Sequence, residues 1–235
     1  MDERQYRLLL QMLLAIMLVM MLASCAMQDN GGKSEENSGN VDANTENGMS
    51  GIRPVFSQLV VYQLPQGFVP AFENVQNGFY IEEAVPKGET VEARSQIVTL
   101  TGTKDLALNP DMTSARFLRR MGLMWRLDCP ASFSSLDFDA TTLDGRETAM
   151  AVFSCGTTSS PGKTGLHSET LLIAVIKGEQ DYYTLQWAER GDSSAAPLPL
   201  EKGKWLERFK RLQPIKICDR VVGEKAPYPS CLERP

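Results

Sequence analysis

The sequence has few of the residues and motifs that mark a catalytic centre. It contains a single histidine, His167, and neither a G-x-S-x-G nor a C-x-x-C pattern, so the usual signatures of serine hydrolases and of zinc sites are missing. It also has no excess of basic residues, since 24 Lys and Arg against 29 Asp and Glu give a formal net charge of −5. Nucleic acid is therefore not expected as a partner.

A hydrophobic run long enough to cross a bilayer is lacking as well. The most apolar stretch, residues 8–21, is interrupted only by Gln11 and falls short of the roughly 20 residues that a transmembrane helix needs. It follows Arg4 and Arg7 and precedes small residues and a cysteine, which is the order of a signal peptide.

The string Leu22-Ala23-Ser24-Cys25 resembles the lipobox of bacterial lipoproteins. The resemblance implies a signal peptide over residues 1–24 and a mature chain that begins with a lipid-modified Cys25, acylated with palmitate-type chains. Such chains hold a protein at a bilayer because each buried methylene adds about 0.8 kcal/mol. The next residue is Ala26 and not Asp, which in Gram-negative members implies the outer membrane, facing the periplasm. The alternative is an uncleaved amino-terminal helix with a chance cysteine.

The segment after Cys25 is too polar to build a core. Residues 26–53 are rich in Asn, Gly, Ser and Glu, so we expect residues 25–53 to form the lipidated cysteine and a flexible tether with a reach of about 30 Å. Residues 54–235 are then a single globular domain. Because most of the acidic excess lies in the tether, the domain is nearly neutral.

Apolar and alternating segments in the domain predict strands, and two segments predict helices. Together they predict an α+β fold with a mainly antiparallel twisted sheet of about six to seven strands. The first helix is expected over residues 112–127, with Asn109 as its cap and Pro110 at its start. The second is expected over residues 201–212. The predicted strands cover residues 59–64, 78–84, 95–101, 133–143, 146–155, 170–176 and 182–188.

The dipeptide Asp144-Gly145 predicts a two-residue hairpin turn. A uniform register from this turn pairs Leu136 with Phe153 and places Cys155 opposite Ser134, near Cys129, so a Cys129–Cys155 disulfide is within reach. The remaining pair, Cys218 and Cys231, brackets a proline-containing tail that a disulfide would stabilise by about 3 kcal/mol.

Four mature cysteines allow three pairings, and we favour Cys129–Cys155 with Cys218–Cys231. A metal site is the alternative use of four cysteines. The spacing lacks close ligand pairs, so no metal and no cofactor are predicted.

Both predicted helices are basic. If they lie on the same side of the sheet, they form a surface for phospholipid or lipopolysaccharide phosphates or for an acidic partner. The alternative is that both are ordinary solvated helix faces. The candidate residues for this surface are Arg116, Arg119, Arg120, Lys204, Arg208, Lys210 and Arg211.

Two other groups of residues come near a known site. Residues 156–164 resemble a P-loop, but five residues separate Gly156 and Gly162 where four are needed, so no nucleotide is expected. A hydrolase would require Asp137, Asp139, Glu169 and His167 to converge in one cleft.

The segments of residues 80–91 and 95–99 resemble a strand, turn and strand pattern of exported bacterial proteins of unassigned function. The order of elements is similar to that of PsbP/Mog1-like domains, which implies binding of proteins or assistance in assembly. The leading hypothesis is a non-enzymatic envelope lipoprotein that binds an unknown envelope protein or polymer. The alternatives are a hydrolase of an envelope polymer or lipid, and a basic-surface module that contacts anionic head groups.

Overall fold

A computed structural model describes residues 49–159 and 166–232. These residues form an α+β structure whose centre is an eight-stranded sheet with the order β3-β4-β5-β10-β9-β8-β6 and with β7 paired to β8. The strands of this sheet are β3 (Phe68–Gln76), β4 (Phe79–Pro86), β5 (Gln96–Thr103), β6 (Phe133–Asp137), β7 (Thr141–Leu143), β8 (Arg146–Ser159), β9 (Leu166–Lys177) and β10 (Tyr182–Asp192).

A second, three-stranded sheet has the order β1-β2-β11. Its strands are β1 (Met49–Val55), β2 (Gln58–Leu64) and β11 (Lys216–Asp219), and the helices are α1 (Ser114–Asp128), α2 (Lys202–Lys210) and α3 (Pro229–Leu232), with a 3-10 turn at Leu106–Leu108. The α+β class is confirmed. The large sheet has one strand more than the upper expectation, because β3 was not predicted and the predicted strand of residues 133–143 is divided into β6 and β7, whereas the predicted strand of residues 59–64 belongs to the small sheet.

The large sheet is buried on both faces, because alternate residues of its central strands pack into two different cores. On β9, Leu172 and Ala174 belong to one core and Leu171 and Ile173 to another. The first core is covered by the small sheet and by α2, and the second by α1 and the 3-10 turn. We name these the α2 face and the α1 face. The two helices therefore lie on opposite faces of the sheet.

The N-cap of helix α1 lies four residues after the capping position that the sequence predicts. Thr113, and not Asn109, is the N-cap, and its hydroxyl accepts a hydrogen bond from the backbone N–H of Arg116. Asn109 instead accepts from the backbone N–H of Asp111 in a local turn and follows the 3-10 turn. The prediction that Asn109 and Pro110 start this helix was therefore wrong, since both residues precede its N-cap.

The hairpin at Asp144-Gly145 is confirmed, since both residues have positive φ values of 52° and 73° and Leu143 pairs with Arg146. Beyond β7 the register shifts by one residue, so that Leu136 pairs with Val152 and not with Phe153. A one-residue shift moves a side chain to the other face of a sheet. Leu136 accordingly packs against the core on the α2 face, whereas Phe153 packs on the α1 face. The expectation that both share one face was wrong.

Both predicted disulfides are present. Cys129 and Cys155 are bonded with a Cα–Cα distance of 5.7 Å, and this bond ties the end of α1 to β8. Cys218 and Cys231 are bonded with a Cα–Cα distance of 5.6 Å, and this bond holds α3 against β11. Cys155 pairs with Phe133 across the strands, one residue away from the predicted partner.

Strand β1 includes five residues that composition places in the tether. Residues 49–53 pair with β2 in an antiparallel register in which Ile52 faces Val61 and Arg53 faces Val60. The Arg53 side chain forms an ion pair with the buried Glu82 of β4, with 2.7 Å between Nε and Oε2. Strand β1 thus begins nearer the amino terminus than the polar composition of residues 49–53 suggests.

Candidate functional site

Helix α2 carries basic side chains that already have partners within the domain. Lys204 Nζ and Arg208 Nε each lie 2.6 Å from a carboxylate oxygen of Glu189 on β10. Arg208 and Arg211 also lie over the ring of Trp187, with 5.1 and 5.0 Å from the guanidinium carbon to the ring centroid. These contacts use the cations to fix α2 on the sheet.

The electrostatics of Glu189 reflect these contacts. Burial by itself would raise the pKa of Glu189, but the hydrogen bonds and charges of Lys204 and Arg208 outweigh burial and lower it. Lys210 is paired as well, with 2.7 Å between its Nζ and Oε1 of Glu207. Lys204, Arg208 and Lys210 therefore each have a carboxylate partner within the domain.

Helix α1 differs in this respect. Its arginines are Arg116, Arg119, Arg120 and Arg126, and over the described ranges none of them forms an ion pair with a carboxylate. The Arg116 guanidinium donates to the backbone carbonyl of Asp111 at 2.6 Å, which leaves its charge uncompensated. The only acid of the helix is Asp128, at its last position.

Two exposed leucines lie among these arginines. Leu123 and Leu127 are 56% and 72% exposed, although their neighbours Leu118 and Gly122 are buried in the core beneath α1. Sequence reasoning did not single out these leucines. The signal that identifies them is their spacing, since they lie outside the stripe of apolar residues that faces the sheet. Leu123 follows Arg119 and Arg120 by four and three residues, and Leu127 follows Leu123 by four.

The predicted joint basic surface is not formed, because α1 and α2 cover opposite faces of the large sheet. Arg116, Arg119 and Arg120 thus lie on one side of the domain, and Lys204, Arg208, Lys210 and Arg211 on the other. The condition on which the joint surface depended is not met, because net charge along a helix does not indicate which face of a sheet the helix covers.

The histidine lies in a charged cluster at one end of the α1 face. Glu169 is at its centre, with Oε1 at 2.8 Å from Arg94 Nη2 and Oε2 at 3.4 Å from Arg190 Nε and 3.5 Å from His167 Nε2. All four side chains are at most 15% exposed. Arg94 reaches the cluster from the loop between β4 and β5, and its Nε atom is buried with no hydrogen-bond partner.

Glu83 on β4 adds a second carboxyl group near this cluster. Burial raises the pKa of Glu83, Arg94 and Arg190 oppose the rise, and Glu92 and Glu169 add to it. Beside Glu83 the α1 face carries polar side chains where a sheet core is usually apolar. Thr99 pairs with Glu83 and with Gln186 across the strands. At the next cross-strand pair on this face, the hydroxyl oxygens of Thr101 and Thr184 lie 2.7 Å apart.

The four residues of the hydrolase hypothesis do not assemble around one point. His167 and Glu169 are close together, but Asp137 pairs with Ala151 on the outer strand β6. Strand β8 lies between β9, which carries Glu169, and β6, which carries Asp137. Asp139 is exposed beyond the end of β6. Glu169 is also paired with two arginines, Arg94 and Arg190.

Other features of the described residues are structural. The buried Asp181 carboxylate accepts hydrogen bonds from Ser57 and from the backbone N–H of Asp105, which ties the small sheet to the large one. A surface recess of about 260 Å³ is lined by Arg220, Val221, Val222, Gly223, Glu224 and Tyr228 in the carboxyl-terminal tail. Among the side chains of residues 51–158 and 166–232, no group of three or more His, Cys, Asp or Glu is arranged to hold a metal ion.

Some sequence predictions fall on residues outside the described ranges. These are the lipid attachment at Cys25 and the part of the P-loop-like segment that contains Gly162 and Lys163. Gly156 lies in β8, and the strand β9 begins at Leu166. Within the described ranges, no helix is long and apolar enough to cross a membrane.

No family model and no curated protein matches this chain. Three solved structures are similar to it in part. Mog1p, the Ran-binding protein of Saccharomyces cerevisiae, has a TM-score of 0.37 and 10% identity over 70% of this chain and 85% of its own. LpqN of Mycobacterium tuberculosis, involved in cell envelope biogenesis, has a TM-score of 0.35 and 13% identity over 69% of this chain and 84% of its own.

The third structure is a protein from Bacteroides thetaiotaomicron VPI-5482, with a TM-score of 0.37 and 9% identity over 76% of this chain and 51% of its own. This chain therefore spans about half the length of the Bacteroides protein. We draw no functional conclusion from similarities of this size, and the fold class rests on the strand order of the chain itself.

Proposed function

We propose that this protein is a lipid-anchored envelope lipoprotein whose tethered α+β domain acts as a non-enzymatic binding or assembly-accessory module in the periplasm. Cys25 is the proposed attachment site, with the outer membrane as the location in a Gram-negative host. The partner is an envelope protein or polymer.

The distribution of the five cysteines is the observation that carries this proposal. Four of them form two disulfides in the domain, which are typical of chains that fold in an oxidising compartment such as the periplasm. The fifth, Cys25, is the one that follows Leu22-Ala23-Ser24. In an exported lipoprotein all five cysteines are therefore accounted for, four as disulfides and one as the lipid attachment site. Without the lipid, Cys25 would be an unexplained free thiol in an exported protein.

The geometry around His167 supports a module without catalysis. The nearest carboxylate, Glu169, is held by Arg94 and Arg190, and the two aspartates that a hydrolase would need lie elsewhere. Opposed charges that satisfy one another in this way stabilise the end of a sheet.

The anchor is tested by feeding cells an alkyne analogue of palmitate and detecting the label on the protein. We expect the wild-type chain to be labelled and to sediment with membranes, and Cys25→Ser to lose both properties. A matched control is Ser24→Ala, which keeps a small residue before the cysteine and should remain labelled. A label that persists in Cys25→Ser would overturn the anchor.

The accessory role is tested by crosslinking in the native host followed by mass spectrometry, with Cys25→Ser as the unanchored control. Reproducible crosslinks of the wild-type chain to an envelope protein or polymer, reduced in the control, are expected. Crosslinks restricted to cytoplasmic proteins would contradict the proposal.

A further inference from the structure

We propose that the outer face of α1 is a contact surface for an anionic phospholipid bilayer. The surface, which we name the Arg–Leu face, consists of Arg116, Arg119, Arg120, Leu123, Arg126 and Leu127. The inference deepens the proposed function, since it rests on the lipid anchor to keep the domain near a membrane.

The spacing of these six residues places them on one side of the helix. Successive positions advance by about 100° around an α-helix, so residues 116, 120, 123 and 127 form one ridge, and residues 119 and 126 lie directly beside it. The opposite side of α1 contains the buried Leu118 and Gly122. The helix therefore has an apolar side that the sheet covers and a second amphipathic side that is exposed at five of its six positions, with Arg120 half-buried.

The charge of this face is positive and local. Asp128 is the only acid in α1, and its position puts it on the side of the helix away from the Arg–Leu face. The whole chain has a formal net charge of −5, so on average it is repelled by an anionic surface. Binding to such a surface would have to come from a patch that differs from the rest of the molecule, and α1 is such a patch.

The two leucines favour a bilayer over an acidic protein as the occupant. Arginines interact with phosphate groups at the head-group level while apolar side chains enter the acyl boundary, which is the arrangement of interfacial helices. The face is small, because a helix of 15 residues is about 22 Å long. Stable protein interfaces bury about 800 Å² on each partner, which a single ridge of this length does not provide.

The chain between the proposed anchor and the domain is long enough to allow this contact. β1 begins at Met49 in the small sheet, which covers the α2 face. The 24 residues from Cys25 to Gly48 can extend to about 80 Å, so the anchor does not prevent the α1 face from turning toward the membrane. Tethering at such distances gives an effective concentration near millimolar, and a weak surface then suffices.

The test measures co-sedimentation of the chain 26–235 with phosphatidylglycerol-containing vesicles. This chain keeps all the described helices and strands and both disulfides. The variant Arg119→Gln/Arg120→Gln/Arg126→Gln should bind roughly 100-fold more weakly at low salt, because each basic residue near an anionic surface contributes about 1 kcal/mol. The matched control is Lys202→Gln/Lys210→Gln/Arg211→Gln on α2, which removes the same charge and should bind within about twofold of wild type.

A second pair of measurements separates lipid from protein partners. Leu123→Ser/Leu127→Ser should weaken vesicle binding roughly tenfold without changing the net charge. In the full acylated chain on vesicles, an environment-sensitive fluorophore on Leu127→Cys should shift to the blue, and the same fluorophore on Leu206→Cys in α2 should not.

Equal losses in the α1 and α2 triple variants, or no binding of the wild-type chain to anionic vesicles, would overturn the proposal. Equally tight binding to soluble polyglutamate, insensitive to the leucine variant, would assign the face to an acidic protein instead. Palmitate labelling distinguishes this failure from that of the proposed function. If the chain is labelled by palmitate but does not bind vesicles, the proposed anchor stands and the proposed role of the Arg–Leu face is wrong. If the chain binds vesicles but is not labelled, the Arg–Leu face stands and the anchor is wrong.

Discussion

Helices α1 and α2 have similar basic composition but very different electrostatic roles. On α2, Lys204 and Arg208 are bound to Glu189, and Arg211 lies over Trp187. On α1, the arginines have no carboxylate partner in the described part of the chain. The comparison teaches that the charge of a helix becomes a surface property only where the neighbouring strand does not supply the opposite charge.

The two faces also differ in what they do to carboxyl groups. On the α2 face, Lys204 and Arg208 overcome burial and lower the pKa of Glu189. On the α1 face, burial raises the pKa of Glu83, and its nearby arginines do not reverse this. The difference is that Lys204 and Arg208 hydrogen-bond the Glu189 carboxylate, whereas Arg94 and Arg190 act on Glu83 through charge alone.

The largest expected effect concerns how α2 is held. Trp205 is 2% exposed in the core of the α2 face, so Trp205→Ala should lower the free energy of unfolding by about 3–5 kcal/mol through the cavity it leaves. Urea denaturation measures this. The control is Leu206→Ala, one position away on the outer side of the same helix, which should cost less than about 1 kcal/mol. Equal costs would mean that α2 is not anchored by this core.

The next effect concerns α1, whose end is held by a disulfide. Cys129→Ala/Cys155→Ala should lower the free energy of unfolding by about 3 kcal/mol, because the bond closes a loop with a sequence separation of 26 residues. The matched control is Cys218→Ala/Cys231→Ala, which opens a shorter loop of 13 residues and should cost slightly less in the chain-entropy model. A clearly larger cost for the tail disulfide would contradict this order.

The sequence predicted well what depends on local chemistry. The Asp144-Gly145 turn, the central strands and both disulfides follow from positive-φ residues, alternation and cysteine spacing. Strands β1, β3 and β11 were not predicted. β1 contains Gly51 and Pro54, and β3 is a largely exposed edge strand interrupted by Pro70. β11 has only four residues. Such strands are held by their neighbours and not by their own pattern.

What the sequence did not reveal depends on long-range placement. The one-residue shift between β6 and β7 changed the face of Leu136, and the opposite placement of the two helices removed the joint basic surface. The cluster around Glu169 gathers Arg94 and Arg190 from positions 75 and 21 residues away, and no motif spacing indicates such a meeting. The exposed Leu123 and Leu127 were detectable from the helical wheel, because they lie off the core stripe.

A smaller expected effect tests directly whether α1 and α2 differ because only the cations of α2 have a carboxylate partner. Glu189→Gln removes the carboxylate that neutralises Lys204 and Arg208, so α2 should acquire the unpaired cations that α1 has. We expect a loss of about 1 kcal/mol in stability at neutral pH and a gain of binding to anionic vesicles at low salt. Glu207→Gln is the control, since Glu207 pairs with Lys210 at a site where both side chains are 66% exposed, and it should change stability little. Unchanged vesicle binding in Glu189→Gln would indicate that free cations alone are not sufficient.

The smallest expected effect is on the pH dependence of stability, which should have opposite signs for Glu189 on the α2 face and Glu83 on the α1 face. The stability that Glu189 contributes is present above its ordinary pKa of 4.5 and is lost as pH falls through its lowered folded pKa. The protonated Glu83 carboxyl contributes stability below 4.5, and this is lost as pH rises through its raised folded pKa. At pH 7, Glu83→Gln should therefore stabilise the protein by at most about 1 kcal/mol, whereas Glu189→Gln destabilises it.

Both differences should vanish at low pH, where each carboxyl group is neutral like the amide that replaces it. Urea denaturation of the two variants and the wild type between pH 3 and pH 7 measures the trend, with the range chosen to bracket the ordinary pKa. The groups that act on Glu83 are Arg94, Arg190, Glu92 and Glu169, so a stabilisation by Glu83→Gln that persists unchanged at pH 3 would point to packing and not to charge. If Glu83→Gln instead destabilises the protein at pH 7, Arg94 and Arg190 neutralise Glu83 as fully as Lys204 and Arg208 neutralise Glu189. The contrast between the two faces would then be lost.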